Sequence, residues 1–347
     1  MSSLPHAKAP ADYSSLIAAL AEANAQPLWD RYMGLVPREP RPADAPHIWR
    51  ARDMQPLIER AVREVSMDDA ERRVLLLTHP AFGGSVATTT NLSGGLQIIE
   101  PGERAPAHRH SLSAVRFVMS GSGAVTIVDG KRCPMEEGDL ILTPTWTWHE
   151  HVNEGSSRMV WFDGLDVPLA KYLDSVFLQF GPAGRPDDDL ARVPDEVFDN
   201  GDPLPPGSLP AAGYSPQFRY PWASALRALQ KLPARPDASK LLRYTNPVTG
   251  GAVIPTLDCY LHELGAGHAT TAIRSTSNAI CVVAQGEGET RIGDELIEWT
   301  RGDVFTLPHW KWISHRAAGT ARLFLMSDRE LMARMGYLRE ETQTVAA

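Results

Sequence analysis

The sequence predicts a mainly β protein built from two related barrels, with a helical arm before them and a short helix at the end. Three observations carry this. From about residue 73 the chain breaks into short β-rich runs, among them LQIIEPGE, AVRFVMSGSG, AVTIVDGKR and DLILTPT, separated by Gly, Pro, Asp and Asn. Runs of this kind at this spacing indicate an all-β barrel or sandwich. The same texture returns after residue 231 in VIPTLDCYLHEL, AICVVAQGEGET, RIGDELIEW and DVFTLPHW. Finally, the two regions are copies: MEEGDLILTPTWTWHEH (135–151) aligns without gaps to WTRGDVFTLPHWKWISH (299–315), and GSGAVTIVDG (121–130) aligns to GEGETRIGD (286–294). Repetition at this length means a duplicated domain, not a short-period solenoid.

The elements follow in order. Residues 12–33 carry Leu16, Ile17, Leu20, Leu28 and Tyr32 at roughly helical spacing, interrupted by Pro27, which predicts one or two helices. PREPRPADAPHIW (37–49) is too proline-rich for regular structure, and MQPLIERAVREV returns to a helical pattern. Nine prolines in 181–222 mark a linker or wrapping arm, followed by a helix over 223–231. DRELMARMGYLREE reads as a final helix. The expected division is a helical arm over 1–72, a first barrel over 73–180, a linker and helix over 181–235, and a second barrel with its terminal helix over 236–347.

A chain of 347 residues is long enough for two domains with adequate cores. Its 34 basic and 42 acidic residues give a net charge of −8 with no basic run, which disfavours nucleic acid and acidic membranes as partners. The three cysteines, Cys133, Cys259 and Cys281, contain no close pair, so a disulfide framework or cysteine–zinc site is not expected. With no apolar run near the ~20 residues of a membrane span and no signal-peptide core at the N-terminus, a cytoplasmic location is expected.

Chemistry enters with GERAPAHRH (102–110), which places two of the chain's 11 histidines one residue apart. On a strand, His108 and His110 share a face and can be neighbouring ligands to one metal, provided other ligands come from a nearby strand. Alone, such a pair is more often a surface pair or a partly buried, hydrogen-bonded one. Its context is more specific. Gly102 precedes His108 by six residues, Gly138 precedes Pro144 by six, His149 follows five later and Asn153 four beyond that.

In this pattern the chain resembles a cupin: glycine, five residues, His-x-His, then glycine, five residues, a proline, a histidine and an asparagine. The resemblance implies His108, His110 and His149 as metal ligands. Two departures stand out: Ala114 and Val115 lie where the family's glutamate ligand should fall, and Trp146 replaces a glycine. Counting six from Gly265 puts Thr271 and Ile273 at the histidine-pair positions of the second copy, with Ile313 at the position of His149, so that half holds no metal. Non-haem iron ordinarily takes two histidines and a carboxylate. A site of three neutral imidazoles keeps the full 2+ charge and suits an anionic bidentate ligand with a further position open for O₂. Spacing alone does not separate iron from manganese, nickel or catalytic zinc.

A narrower resemblance lies in AHRHSLSAVRFVMSGSGAVTIVDG, GDLILTPTWTWHEHVNEGSS and VWFDGLDVPL, which look like the gentisate 1,2-dioxygenase group of bicupins, together with relatives that cleave salicylate and 1-hydroxy-2-naphthoate. It covers about residues 25 to 335. The resemblance implies a bicupin of two double-stranded β-helix barrels, Fe(2+) in the N-terminal barrel, a homotetramer, and O₂-dependent cleavage between the carboxyl- and hydroxyl-bearing carbons of a small aromatic hydroxy acid. For gentisate the product would be maleylpyruvate. Further roles follow from the same motif match. Arg116, taken to continue the face of His110, would pair with the substrate carboxylate. Gln97 and Arg72 would contact substrate, His151 would act as an acid–base or orienting group, and Asp163 would orient a neighbouring His or Arg. Each has a plainer reading as a buried salt bridge, a structural hydrogen bond, a turn or a surface pair. Trp146 and Trp148 read as packing, because the metal-free copy keeps Trp310 and Trp312. Substrate preference is expected to lie in TTTNLSGG (88–95) and in the arm before residue 75. The competing readings are preference for salicylate, a 5-substituted salicylate or 1-hydroxy-2-naphthoate, an O₂-independent metal cupin such as a decarboxylase or isomerase, and a cupin that binds a ligand without turning it over.

Overall fold

The computed structural model describes residues 13–29, 31–181, 193–200 and 213–343. The chain divides into two compact units, Met1–Arg41 and Pro42–Ala347. In the first, helices Ser14–Glu22 and Tyr32–Leu35 flank Pro27, as the interrupted periodicity predicts. Much of the segment read as linker, 182–192 and 201–212, lies outside the described residues.

The second unit is two antiparallel barrels, each of a six-stranded and a five-stranded sheet. In the first barrel the larger sheet runs Arg219–Tyr220, Leu140–Thr143, Ala114–Ser120, Met159–Leu165, Ser93–Ile99, Arg73–Leu76. Its smaller sheet runs Leu178–Phe180, Arg104–His110, His149–Asn153, Ser122–Val128, Lys131–Glu136. The second barrel repeats this order strand for strand. Its larger sheet is Ile48–Trp49, Val304–Leu307, Ala279–Gln285, Ala321–Ser327, Asp258–Leu264, Lys240–Arg243, and its smaller sheet is Glu340–Thr342, Ile273–Ser275, Ile313–Ala317, Glu287–Ile292, Glu295–Thr300. The terminal segment is therefore only partly helical: Arg329–Arg334 is a helix, and Glu340–Thr342 pairs with Ile273–Ser275.

The repeat runs further than the sequence alignment reaches, and the halves exchange a strand. Ile48–Trp49, inside the proline-rich stretch read as irregular, pairs with Val304–Leu307 of the second barrel. Its counterpart Arg219–Tyr220 pairs with Leu140–Thr143 of the first. Each exchanged strand leads into a helix, Ala51–Glu64 or Trp222–Lys231. The Gly-Asp turns explain the junction. Asp303 Oδ1 accepts from the Ala51 amide at 2.7 Å, and Asp139 Oδ1 accepts from the Trp222 amide at 2.8 Å, so an aspartate from a barrel turn occupies the open amides of each helix start. The preceding Gly138 has φ +87°, and a Cβ there would come within 2.5 Å of the Trp222 ring. Burial raises the Asp139 pKa, opposed by the Trp222 amide and Arg219.

The larger sheets turn alternate residues toward each other. Leu96, Ile98, Phe117, Phe162 and Val160 of one join Leu261, Ile280, Val282, Phe324 and Met326 of the other in a single buried cluster. Phe117 and Phe324 stack at its centre, centroids 4.3 Å apart and 9° from parallel. A separate apolar cluster including Cys281, Val283, Ile292, Trp299, Phe305 and Leu323 fills the second barrel. Replacing either aspartate tests the junction: Asp139→Ala and Asp303→Ala should each lower unfolding free energy by about 1–2 kcal/mol, the usual loss on removing a helix-start acceptor, read as a shift in urea midpoint.

Candidate metal centre

His108 and His110 alternate on Arg104–His110, and His149 opens the adjacent strand directly opposite His108. A register shift between Ala105 and His108 marks a bulge, a device that re-aims side chains at a barrel rim. The three imidazoles converge: each offers a nitrogen, and these all lie within 4.8 Å of one another. Ring centroids are 5.0 Å apart for His108–His110, 4.2 Å for His108–His149 and 4.8 Å for His110–His149. Among the described residues this is the one group of three or more His, Cys, Asp or Glu side chains so placed.

Their hydrogen bonds and charge state suit a cation. His110 Nδ1 donates to the Leu112 carbonyl at 2.8 Å and His149 Nδ1 to the Thr147 carbonyl at 3.0 Å, which leaves each Nε2 as a lone pair. His149 Nε2 is buried without a partner. His108 bonds the Pro106 carbonyl and has the Arg72 guanidinium against its Nδ1. Burial, then nearby Arg72, lowers the His108 pKa to about 3; burial lowers His110 to about 4 and takes His149 well below its ordinary value. At neutral pH all three are neutral imidazoles, each with one nitrogen lone pair. Among the described residues no carboxylate joins the set, and Ala114 and Val115 stand, fully buried, where the resemblance looks for one.

The remaining predicted residues gather around this triad, with one change of place. Arg116 does not continue the ligand strand: residues 111–113 turn, and it stands on the next strand, Ala114–Ser120. There it faces Asp163 across the ladder, with Nε 3.3 Å from Asp163 Oδ1 in an ion pair that lacks hydrogen-bond alignment, while its Nη1 donates to Thr143. Desolvation depresses the Arg116 pKa and raises that of Asp163, each opposed by the other's charge. Arg72, just before Arg73–Leu76, follows Glu71 at φ +52° and touches both Pro106 and His108. Burial lowers its pKa to about 10, with Arg116 adding repulsion. Gln97 Oε1, Arg116 Nε, Asp163 Oδ1, Arg72 Nε, His149 Nε2 and His151 Nε2 are all buried without hydrogen-bond partners. Native interiors leave few such atoms, so this concentration marks a place prepared for a polar ligand.

Sequence reasoning did not single out Thr126 and Thr143, which bond His151 and Arg116; a threonine on a strand carries no signal until its neighbour is known. TTTNLSGG divides: Thr89 and Asn91 bond Asn278 and Asp328 of the second barrel, while Gly95 is overlain by Val74. Arg109 lies over Trp146 and Trp148, and Arg274 repeats this over Trp310 and Trp312, so these tryptophans are packing elements in both copies.

Ladder register corrects the count in the second copy. Ile273, opposite Ile313, holds the position of His108, and Ser275 that of His110, because the counterpart of Gly102 is Gly267 and not Gly265: both have positive φ and donate to the carbonyl that ends the neighbouring strand, Asn153 or Ala317. His262, Cys281 and Leu325 stand where the first barrel has Gln97, Arg116 and Asp163. None of these six side chains repeats the residue of the first barrel that it replaces. Asp163→Ala leaves a buried guanidinium without its counter-charge and should lower stability by about 3 kcal/mol, whereas Arg116→Leu with Asp163→Leu should recover most of that loss; chemical denaturation of both variants checks it.

Comparison with known proteins places this geometry. Residues 95–167 match the cupin domain family. The chain is 37% identical to gentisate 1,2-dioxygenase 1 of Aquipseudomonas alcaligenes, covering 90% of this chain and 92% of that protein. It is 34% identical to a 5-aminosalicylate 1,2-dioxygenase of a Comamonas species, covering 95% and 90%. The crystal structure of salicylate 1,2-dioxygenase from Pseudoaminobacter salicylatoxidans with gentisate superposes with a TM-score of 0.87 at 32% identity, over 98% of this chain and 96% of that one. The chain belongs to the gentisate and salicylate 1,2-dioxygenase family of ring-cleaving cupins.

Proposed function

We propose that this protein opens the ring of gentisate or a related salicylate with O₂, between the carboxyl- and hydroxyl-bearing carbons, at an Fe(II) held by His108, His110 and His149. The observation that carries this reading is a buried, carboxylate-free triad of neutral imidazoles ringed by unpartnered polar groups. The triad fits a divalent cation, and Fe(II) bound there would supply a template for substrate and O₂ and a path for electrons between them.

The protein's own residues do the positioning. Arg116, held by Asp163 at Nε and by Thr143 at Nη1, presents its guanidinium to a substrate carboxylate, and Arg72 adds positive charge. Gln97 Oε1 accepts from a ring hydroxyl, and His151 Nε2 takes or returns a proton on the substrate oxygen. Burial of Gln97, Arg116, Asp163 and His151 excludes water and strengthens each contact. The division into arm (1–72), metal-binding cupin (73–180), linker and helix (181–235) and metal-free cupin (236–347) belongs to this proposal. So does a homotetramer, which the exposed side chains of Tyr172, Leu173, Phe177 and Phe180 support. A cytoplasmic location is supported by three buried, unpaired cysteines.

The test is a panel of gentisate, salicylate, 5-substituted salicylates and 1-hydroxy-2-naphthoate with Fe(II)-loaded protein, followed by absorbance and O₂ uptake. At least one should give a ring-opened product with one O₂ consumed per turnover, and His108→Ala should lose both iron and turnover. Turnover under anaerobic conditions would favour the O₂-independent class instead.

A further inference from the structure

We infer that Thr126 and Met135 hold the proton of His151 on Nδ1, leaving Nε2 as a lone pair directed away from them, and that both are positioning residues for the proposed reaction. Thr126 Oγ1 lies 2.9 Å from His151 Nδ1 and 3.1 Å from Met135 Sδ, and the threonine and histidine side chains are fully buried. A thioether only accepts. With the histidine proton on Nδ1, two bonds form: N–H to the hydroxyl oxygen, and the hydroxyl to sulfur. With the proton on Nε2, only the hydroxyl-to-Nδ1 bond forms, the sulfur goes unused, and a buried N–H is left without an acceptor. Orphaned buried N–H groups are rarer in proteins than orphaned acceptors, so the first arrangement wins. Arg116 and Arg72 lie within electrostatic reach of His151, which favours a lone pair over an N–H on its free side.

The second barrel contains the reverse arrangement. Thr290 Oγ1 lies 2.8 Å from His315 Nδ1 at the corresponding ladder position. Trp299 stands where Met135 stands, each opposite the residue two before its threonine, Gly288 or Ala124. An indole only donates, and Trp299 Nε1 gives its proton to Thr290 Oγ1 at 2.8 Å. If the oxygen also accepted from His315, the threonine's own proton would lose that acceptor; donating it to His315 Nδ1 uses both, and this places the histidine proton on Nε2. One exchange, acceptor for donor at the same position, sets opposite tautomers in two copies of the same Thr–His pair. The barrel that keeps the metal-binding histidines also keeps the acceptor.

The catalytic consequence rests on the function proposed above, but the tautomer does not, and it can be read without metal or turnover. Full-length, metal-free protein labelled with ¹⁵N-histidine is examined at pH 8 by two-bond ¹H–¹⁵N correlation, with His151→Gln and His315→Gln for assignment. His151 should show a protonated Nδ1 and His315 a protonated Nε2 in the same spectrum; a protonated Nε2 on His151 overturns the inference. Met135→Leu removes the sulfur and should move His151 toward the Nε2–H form, with circular dichroism and triad metal affinity unchanged. In loaded enzyme it should lower kcat at least about tenfold with little change in KM, a modest part of what proton transfer contributes. An unchanged tautomer in Met135→Leu refutes the role of the sulfur. Thr126→Ser should retain the wild-type tautomer and kcat, and Thr126→Val should lose both; if Thr126→Val does not fold, the Met135→Leu and Thr126→Ser pair decides. Should no salicylate be turned over by wild type, the proposed function fails while the spectra still decide the tautomer.

Discussion

A small β-barrel has room for one filling, and the two halves of this chain spend that room differently. An interior of this size is just wide enough for side chains to occupy. In the second barrel Trp299, Phe305, Leu323, Val283 and Ile292 occupy it as an ordinary apolar core. In the first, Gln97, His108, His110, Arg116, His149, His151 and Asp163 are buried instead, and several keep atoms that no protein group satisfies. That composition opposes folding of the first barrel alone, because each unpaired buried polar atom costs free energy. The apolar cluster that offsets this cost joins the two large sheets and takes in Ala124, Val128, Cys133 and Met135 of the first barrel's smaller sheet.

The exchanged strands tie that dependence into the backbone. Because Arg219–Tyr220 completes the sheet carrying Arg116 and Asp163, and Ile48–Trp49 completes the opposite one, each barrel is unfinished without chain from the other half. The aspartate at each Gly-Asp turn fixes the helix that follows the incoming strand. The site is thus built on paired strands held from both sides, the kind of support that keeps catalytic groups within a fraction of an ångström.

Much of this is legible in the sequence where the signal is local. Strand texture, the Gly-Asp turns, the aligned tryptophans and the His-x-His with its later partner His149 each depend on residues close in the chain, and the structure keeps them. The cupin resemblance then supplies Gln97, Arg116, His151 and Asp163, which the fold brings around the triad. What sequence missed depends on pairing between distant segments. Ile48–Trp49 and Arg219–Tyr220 are two-residue strands in proline-rich stretches, too short for any alternation to register. Arg116 falls on the strand after that of His110, because a turn of only three residues, 111–113, leaves the β texture looking continuous. Gly265 and Gly267 are equal candidates for the start of the count in sequence, and only the ladder shows that Gly267 corresponds to Gly102 and Ser275 to His110. Thr126 and Met135 acquire meaning only from the atoms beside them.

The central claim is that three neutral imidazoles, and no fourth protein donor, hold the metal. X-ray absorption at the iron edge of Fe(II)-loaded protein measures this directly. Three imidazole nitrogens with only exchangeable oxygen ligands besides, reduced to two imidazoles in His149→Ala, is the outcome expected. A coordinated carboxylate from the protein, a sulfur ligand, or an unaltered spectrum in His149→Ala would contradict it.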